Sequence, residues 1–352
     1  MPPTAPPAVA QDDDLVRERS SRPGALAMAL GCSLLLVVLV AASLLIGSGS
    51  IGMAETVDAL LGRGDGDTTN ELLIREYRVP RTVLALLVGG ALGLAGAVMQ
   101  ALTRNPLADP GLLGVNAGAY AAVAFGAAFL GVNGTNRQVW LALAGAAATA
   151  VLVYTVGTGG RGSHGAAKLV LTGVAVGAVL SGLALAVTLV RPETFDRLRF
   201  WQVGSLQGRQ WDTVLAILPF VAAGTLLALA LPRSLNSLAL GDDAAASLGT
   251  RVVATRLTGL LAVTLLCGAA TAAAGPISFL GLLVAHGVRA VVGPDLRRVL
   301  PAGLLAAPVL FLAADVLGRV LVPAELPVGV VTAFLGAPLL IALTRRRPGG
   351  AG

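Results

Sequence analysis

Charge and aromatic rings are scarce in this sequence. Asp, Glu, Lys and Arg make up 12% of its 352 residues, and Phe, Trp and Tyr only 4%. A soluble domain carries about twice that share of charge, so an ordinary water-exposed globule is excluded. Two histidines, His164 and His286, are too few for a metal cluster. Cys32 and Cys267 both lie in apolar runs and read as small core residues rather than as a disulfide or a metal site. Lys168 is the only lysine, and Ala167 precedes it, so the Gly-Lys pair that cradles nucleotide phosphates is missing. No Ser-His-acid or paired-carboxylate pattern is placed for catalysis. The net charge of +6 and pI near 10.3 come from arginines scattered at the ends of apolar runs. They read as topology and docking charges, not as a nucleic-acid surface.

What the chain has in quantity is apolar and small side chains. It is 55% hydrophobic, holds 45 glycines and has a mean hydropathy of +0.82. That composition predicts an all-α integral membrane protein whose helices pack closely through small residues. Gly89, Gly93 and Ala97 give such a small-xxx-small row. Apolar stretches predict ten spans, at 25–46, 80–101, 110–130, 138–156, 168–190, 212–231, 254–274, 278–292, 299–321 and 328–343. Residues 1–24 read as a disordered cytoplasmic tail, 25–344 as the transmembrane domain and 345–352 as a basic cytoplasmic tail. The first run is too long for a cleaved signal peptide and reads as an uncleaved span. An even span count puts both termini on one side, and Arg345, Arg346 and Arg347 argue that this side is the cytoplasm. Arginines are also plentiful in the expected outer loops, Arg78, Arg81, Arg191 and Arg209 among them, which topology alone does not explain.

The stretch 96–118, GAVMQALTRNPLADPGLLGVNAG, organises the rest. Asn105 and Asp109 are helix-capping residue types, each just before a proline, Pro106 and Pro110. One helix should end near Thr103 and the next start at Pro110, with a polar pentapeptide between them. Pro106-Leu-Ala-Asp-Pro-Gly111-Leu-Leu is echoed by Pro276-Ile-Ser-Phe-Leu-Gly281-Leu-Leu after a span of the opposite direction. Such an echo suits an inverted repeat whose interrupted helices line a pathway. On the expected inner side, residues 232–251 hold the longest polar segment, with a short helix over 243–248 capped by Asp242 and ended by Gly249. Two turns are not stable alone, so this helix needs a partner surface.

Inside the spans, polar groups are few: His286, Arg289 and Asp315 stand out. Asp315 precedes Arg319 by four residues, which suits a helical ion pair. His286 and Asp315 also fall at similar expected depth, as a satisfied structural pair. An ion-coupled carrier places acids deep in the bilayer, and a membrane enzyme needs a metal or nucleophile cluster; the sequence is poor in both. These remain the rival classes.

Residues 78–119, RVPRTVLALLVGGALGLAGAVMQALTRNPLADPGLLGVNAGA, resemble the second and third spans of the FecCD family, permeases of ATP-binding-cassette (ABC) importers for ferric siderophores, haem and cobalamin. The resemblance continues through WQVGSLQGRQW (201–211), LALGDDAAASLG (238–249), GPISFLGLLVAHGVR (275–289), AADVLGR (313–319) and ELPVGVVTAFLGAP (325–338). It implies a ten-helix type II importer fold, two permease subunits around a central path, and no cofactor on this chain. ATP and Mg would sit on a separate ATPase. The segment matching Leu240, Gly241, Asp242, Ala245, Leu248 and Gly249 would insert into that ATPase. Asn105, Pro106, Leu107 and Pro110 would form the cytoplasmic gate, and Arg78, Arg81 and Arg319 would face a periplasmic or lipid-anchored binding protein. Residues 157–168 match another gate region but carry alanine before Lys168 where relatives can carry a hydroxyl. RNPLADPGLLGVNAG is most like the first permease of heterodimeric, catecholate-type ferric siderophore systems, so a heterodimer is preferred to a homodimer. The chain is expected in the cytoplasmic membrane.

Overall fold

The computed structural model describes residues 10–47, 51–63, 68–132, 134–158, 166–322 and 324–345. Every regular element among them is helical. The principal helices are α1 (Ala10–Leu45), α2 (Met53–Leu61), α3 (Thr69–Leu73), α4 (Val79–Thr103), α5 (Val115–Phe129), α6 (Thr135–Thr158) and α7 (Ala166–Val190). They continue as α8 (Pro192–Gln202), α9 (Trp211–Ala230), α10 (Pro232–Ala239), α11 (Asp242–Ser247) and α12 (Val252–Ala274). α13 (Leu280–Val292), α14 (Leu296–Leu321) and α15 (Val328–Arg345) complete the set.

Each expected span falls on a helix, but only seven of the described helices are long and apolar enough to cross a membrane. Val115–Phe129, Leu280–Val292 and Val328–Pro338 are shorter apolar helices. At 1.5 Å per residue the first two reach only about 20–22 Å, less than a ~30 Å hydrocarbon core. They are short because the chain is interrupted before them. Residues 1–9 of the expected tail lie outside the described residues, and α1 runs from Ala10 into the first span. Leu15, Val16, Arg17 and Glu18 are compatible with extending that helix upstream. At the other end Arg345 closes α15, and residues 346–352 lie outside the described residues, as do 159–165 of the expected 157–168 loop.

α4 is the buried axis of the bundle. It continues a helical run from Thr69, and 83% of its most apolar window is buried, against none of the corresponding window in α1. Glycine makes that burial tight. A Cβ on Gly93 would lie 2.4 Å from the Ala307 Cβ of α14, and one on Gly89 would lie 2.8 Å from the Pro308 Cα. On the C-terminal third of the helix, a Cβ on Gly96 would lie 2.5 Å from the Gly281 Cα of α13. Backbone here meets backbone, so nothing flexible can yield. Gly96→Ala should therefore cost about 1–3 kcal/mol by overpacking. The check is the thermal midpoint of detergent-solubilised protein, and a midpoint equal to wild type would refute the close approach.

The N-terminal entry to α4 has a local cause. Pro80 has no N–H to give to the residue four positions earlier, and the turn just before it widens into a π-helix over Ile74–Arg78. The extra residue in that turn re-aims Arg78 and Arg81. The WQVGSLQGRQW segment is explained by backbone bonds. Ser205 N–H donates to the Ala274 carbonyl at 2.7 Å, and Gly329 N–H donates to the Gly204 carbonyl at 3.0 Å. Gly204 has φ +79°, and its missing Cβ leaves room for Ile277 and the Pro276 carbonyl. The segment thus clasps the end of α12, the chain leading to α13, and the start of α15.

Candidate functional site

Three groups of residues make up the candidate site: the interrupted stretch after α4, the short helix α11, and an arginine cluster at the opposite end of α4.

α4 ends at Thr103 as expected. Arg104 caps it in the left-handed region at φ 50°, and Asn105 Oδ1 accepts the Leu107 N–H at 2.9 Å. This turn holds Pro106 and leaves Asn105 and Leu107 exposed. Asp109 then caps a 3-10 turn, Pro110–Leu113, by accepting the Gly111 N–H at 2.8 Å. The second interruption is irregular through residues 275–278, with Gly275 at φ 79°, and reaches Phe279, also left-handed at φ 67°. The two interruptions meet: the backbone amide of Phe279 approaches the Asp109 carboxylate. Beside them Asn116 Oδ1 accepts the Thr271 hydroxyl at 2.7 Å and the Cys267 thiol at 3.4 Å, tying α5 to α12. The echoed motifs are therefore neighbours in space, a juxtaposition absent from a plain reading of their spacing.

Helix α11 spans Asp242–Ser247, one residue earlier than expected, with the unexpected α10 before it. Gly241 at φ 111° is its N-cap position, and Asp242 is not a side-chain cap. Its carboxylate instead pairs with Arg104, directly before the Asn105 turn, and with Arg256 of α12 at 2.8 Å. The ion pairs outbid capping because two guanidinium groups converge there. Gly249 ends the segment at φ 80°, as expected. Ala245 is buried against the body, whereas Leu240 and Leu248 are 68% and 65% exposed. An apolar tip is thus presented outward while its base is bonded to the interrupted stretch.

The arginine cluster corrects two expectations. Arg78, Arg81 and Arg319 do not stretch out into water. Arg78 is 4% exposed, and the Arg319 side chain is 2% exposed. α1 ends beside them with unpaired carbonyls, which need donors. Arg78 Nη1 donates to the Leu44 carbonyl at 2.9 Å, and Arg319 Nη1 donates to those of Ser43 and Ile46 at 2.7 and 2.9 Å. Asp315 lies between Arg81 and Arg319. It accepts from Arg81 Nη2 at 2.9 Å and from Arg319 Nε at 3.1 Å. Arg81 Nη1 also donates to Glu325 at 2.9 Å. The expected Asp315–Arg319 helical pair is present, but the expected His286–Asp315 pair is not, because Asp315 is committed to arginines. His286 also sits deeper than counted. α13 starts beside Gly96, well inside the bundle, and Arg289 one turn on bonds Gln100 near the C-terminal end of α4.

Among the described residues no group of three or more His, Cys, Asp or Glu could hold a metal ion. A buried axis, two meeting interruptions and an exposed apolar tip together suit a translocating subunit driven from outside itself. Residues 35–346 match the FecCD transport family. The chain belongs to that family. It is 51% identical over 322 residues to the ferric enterobactin transport system permease protein FepD of Escherichia coli strain K12, covering 91% of this chain and 95% of the relative. It is 36% identical over 329 residues to the hemin transport system permease protein HmuU of Yersinia pestis, covering 90% and 95%. Its fold matches a metal-chelate type ABC transporter in an inward-facing conformation with a TM-score of 0.78, at 26% identity, over 92% of this chain and 100% of that one. This FecCD chain is a multi-pass permease subunit of an ABC importer. Its ATP hydrolysis belongs to a separate ATPase, and a substrate-binding protein is its other partner.

Proposed function

We propose that this FecCD permease moves a ferric siderophore of the catecholate type across the cytoplasmic membrane, paired with a second, non-identical permease subunit. The observation that carries the substrate is the 51% identity to a ferric enterobactin permease along nearly the whole chain, against 36% to a hemin permease. Residues 25–344 form a ten-crossing domain with both termini in the cytoplasm. Asn105, Pro106, Leu107 and Pro110 form the inner gate, a reading supported by the exposed Asn105 turn between two interruptions. Irregular backbone at membrane depth is tolerated where it is covered by protein or lines a path. Leu240, Gly241, Asp242, Ala245, Leu248 and Gly249 form the contact with an ATPase that holds ATP and Mg. The Asp242–Arg104 pair supports direct transmission from that contact to the gate. Arg78, Arg81 and Arg319 surround the outer docking seat for a periplasmic or lipid-anchored binding protein.

The test is uptake into vesicles containing this chain, its second permease and its ATPase, with the binding protein outside. A ferric catecholate should enter only with ATP inside, and a protonophore should have no effect. Uptake driven by a proton or sodium gradient without ATP would overturn the reading. Preferential uptake of haem from a ligand panel would overturn its substrate.

A further inference from the structure

At the outer end of α4 a cavity of about 210 Å3 opens among Arg78, Arg81, Gln207, Arg209, Arg319 and Glu325. Its charges are unbalanced. Four guanidinium groups meet two carboxylates, Glu325 on the wall and Asp315 behind it. Arg81 is neutralised by both acids and Arg319 by Asp315. Arg78 is turned to the carbonyls that end α1.

Arg209 is different. It stands on the loop between α8 and α9, is only 7% exposed, and its Nε is buried without an acceptor. Among the described residues it makes no ion pair. Asp212 acts on it only at a distance and spends an oxygen on the Thr213 N–H at 2.7 Å. Burial pushes the Arg209 guanidinium down to about 10, and it remains charged at neutral pH. A buried, unpaired cation is costly and is relieved by an arriving anion. The cavity has room for a carboxylate and a few waters but not for a metal chelate. A planar guanidinium suits a carboxylate because it can donate two parallel hydrogen bonds.

We propose that Arg209 is the direct partner of an acidic side chain that the external binding protein inserts into this cavity. The proposal rests on the docking role given above to the outer face. It differs in assigning the pairing to an arginine that makes no ion pair among the described residues and is not turned to the carbonyls of α1 as Arg78 is, while Arg81 and Arg319 shape the seat.

The test compares wild type, Arg209→Gln and Arg209→Lys as the assembled transporter in nanodiscs, with the purified binding protein of the same system as the probe. Arg209→Gln should bind it at least tenfold more weakly, chiefly through faster dissociation, and Arg209→Lys should fall between. The thermal midpoint of Arg209→Gln should equal or exceed that of wild type, because no internal partner is lost. A midpoint several degrees lower would reveal an internal partner and overturn the proposal. Wild-type affinity in Arg209→Gln would also overturn it. So would a midpoint raised by millimolar sulfate in wild type alone while both proteins dock equally, which would mark a small-anion pocket instead. If wild type itself does not bind the probe, the docking reading of the whole outer face fails, a result distinct from failure at Arg209.

Discussion

Asp315→Ala should abolish accumulation of the folded subunit. The carboxylate is 1% exposed and bridges Arg81 and Arg319, whose own side chains are 14% and 2% exposed. Removing it leaves the buried Arg319 without an acid, facing an Arg81 that keeps only Glu325. Breaking a buried pair in this way costs about 3–5 kcal/mol, a large part of the stability of an ordinary domain. The damage extends to the end of α1, because Arg319 also donates to the carbonyl and hydroxyl of Ser43 and to the Ile46 carbonyl. Size-exclusion of the solubilised variant should show little monodisperse protein. Asp315→Asn keeps the shape and part of the hydrogen bonding without the charge, and should fall between. A variant Asp315→Ala that folds with a normal midpoint and yet loses all uptake would make this residue part of the pathway instead of the scaffold.

Leu248→Asp should leave the subunit folded and strip it of its ATPase. Leu248 follows α11 at an exposed tip, so the substitution removes no internal contact of weight and should change stability by no more than about 0.5 kcal/mol. In the assembled importer the same side chain is proposed to enter an apolar cleft. An unpaired carboxylate there costs several kcal/mol, enough to reduce retention of the ATPase at least a hundredfold. Co-purification from the membrane at wild-type yield would refute the assignment of α11.

The parts of this molecule that were legible in advance are those whose chemistry is local. Asn105 before Pro106 and Asp109 before Pro110 announce an interruption because capping and the missing proline N–H act within a turn. Asp315 and Arg319 are four residues apart on one helix, and their pair follows from that spacing alone. Arg81 and Asp315 are 234 positions apart, and nothing in either neighbourhood announces the other. The burial of Arg78 and Arg319 depends on where α1 ends, a tertiary fact that no local spacing announces. Asp242 has the type and position of a cap, and only the arrival of Arg104 and Arg256 redirects it. The depth of His286 failed for a related reason. Linear counting assumes that a helix begins at the membrane face, whereas α13 begins inside the bundle.

The glycine seam along α4 has a mechanical consequence. Where helices meet through long side chains, sliding one past the other forces rotamers to jump, and the barrier pins the interface in place. At Gly89, Gly93 and Gly96 the opposing surfaces are largely backbone, with a few small groups such as Pro308 and Ala307. Such a surface has few torsions to reset, so its friction against small shear is low even though its packing is dense. The same three positions leave no room for a methyl group, so any shift of α13 or α14 along the axis would slide backbone against backbone. In an importer whose helices shift against one another, this seam would be the dry bearing.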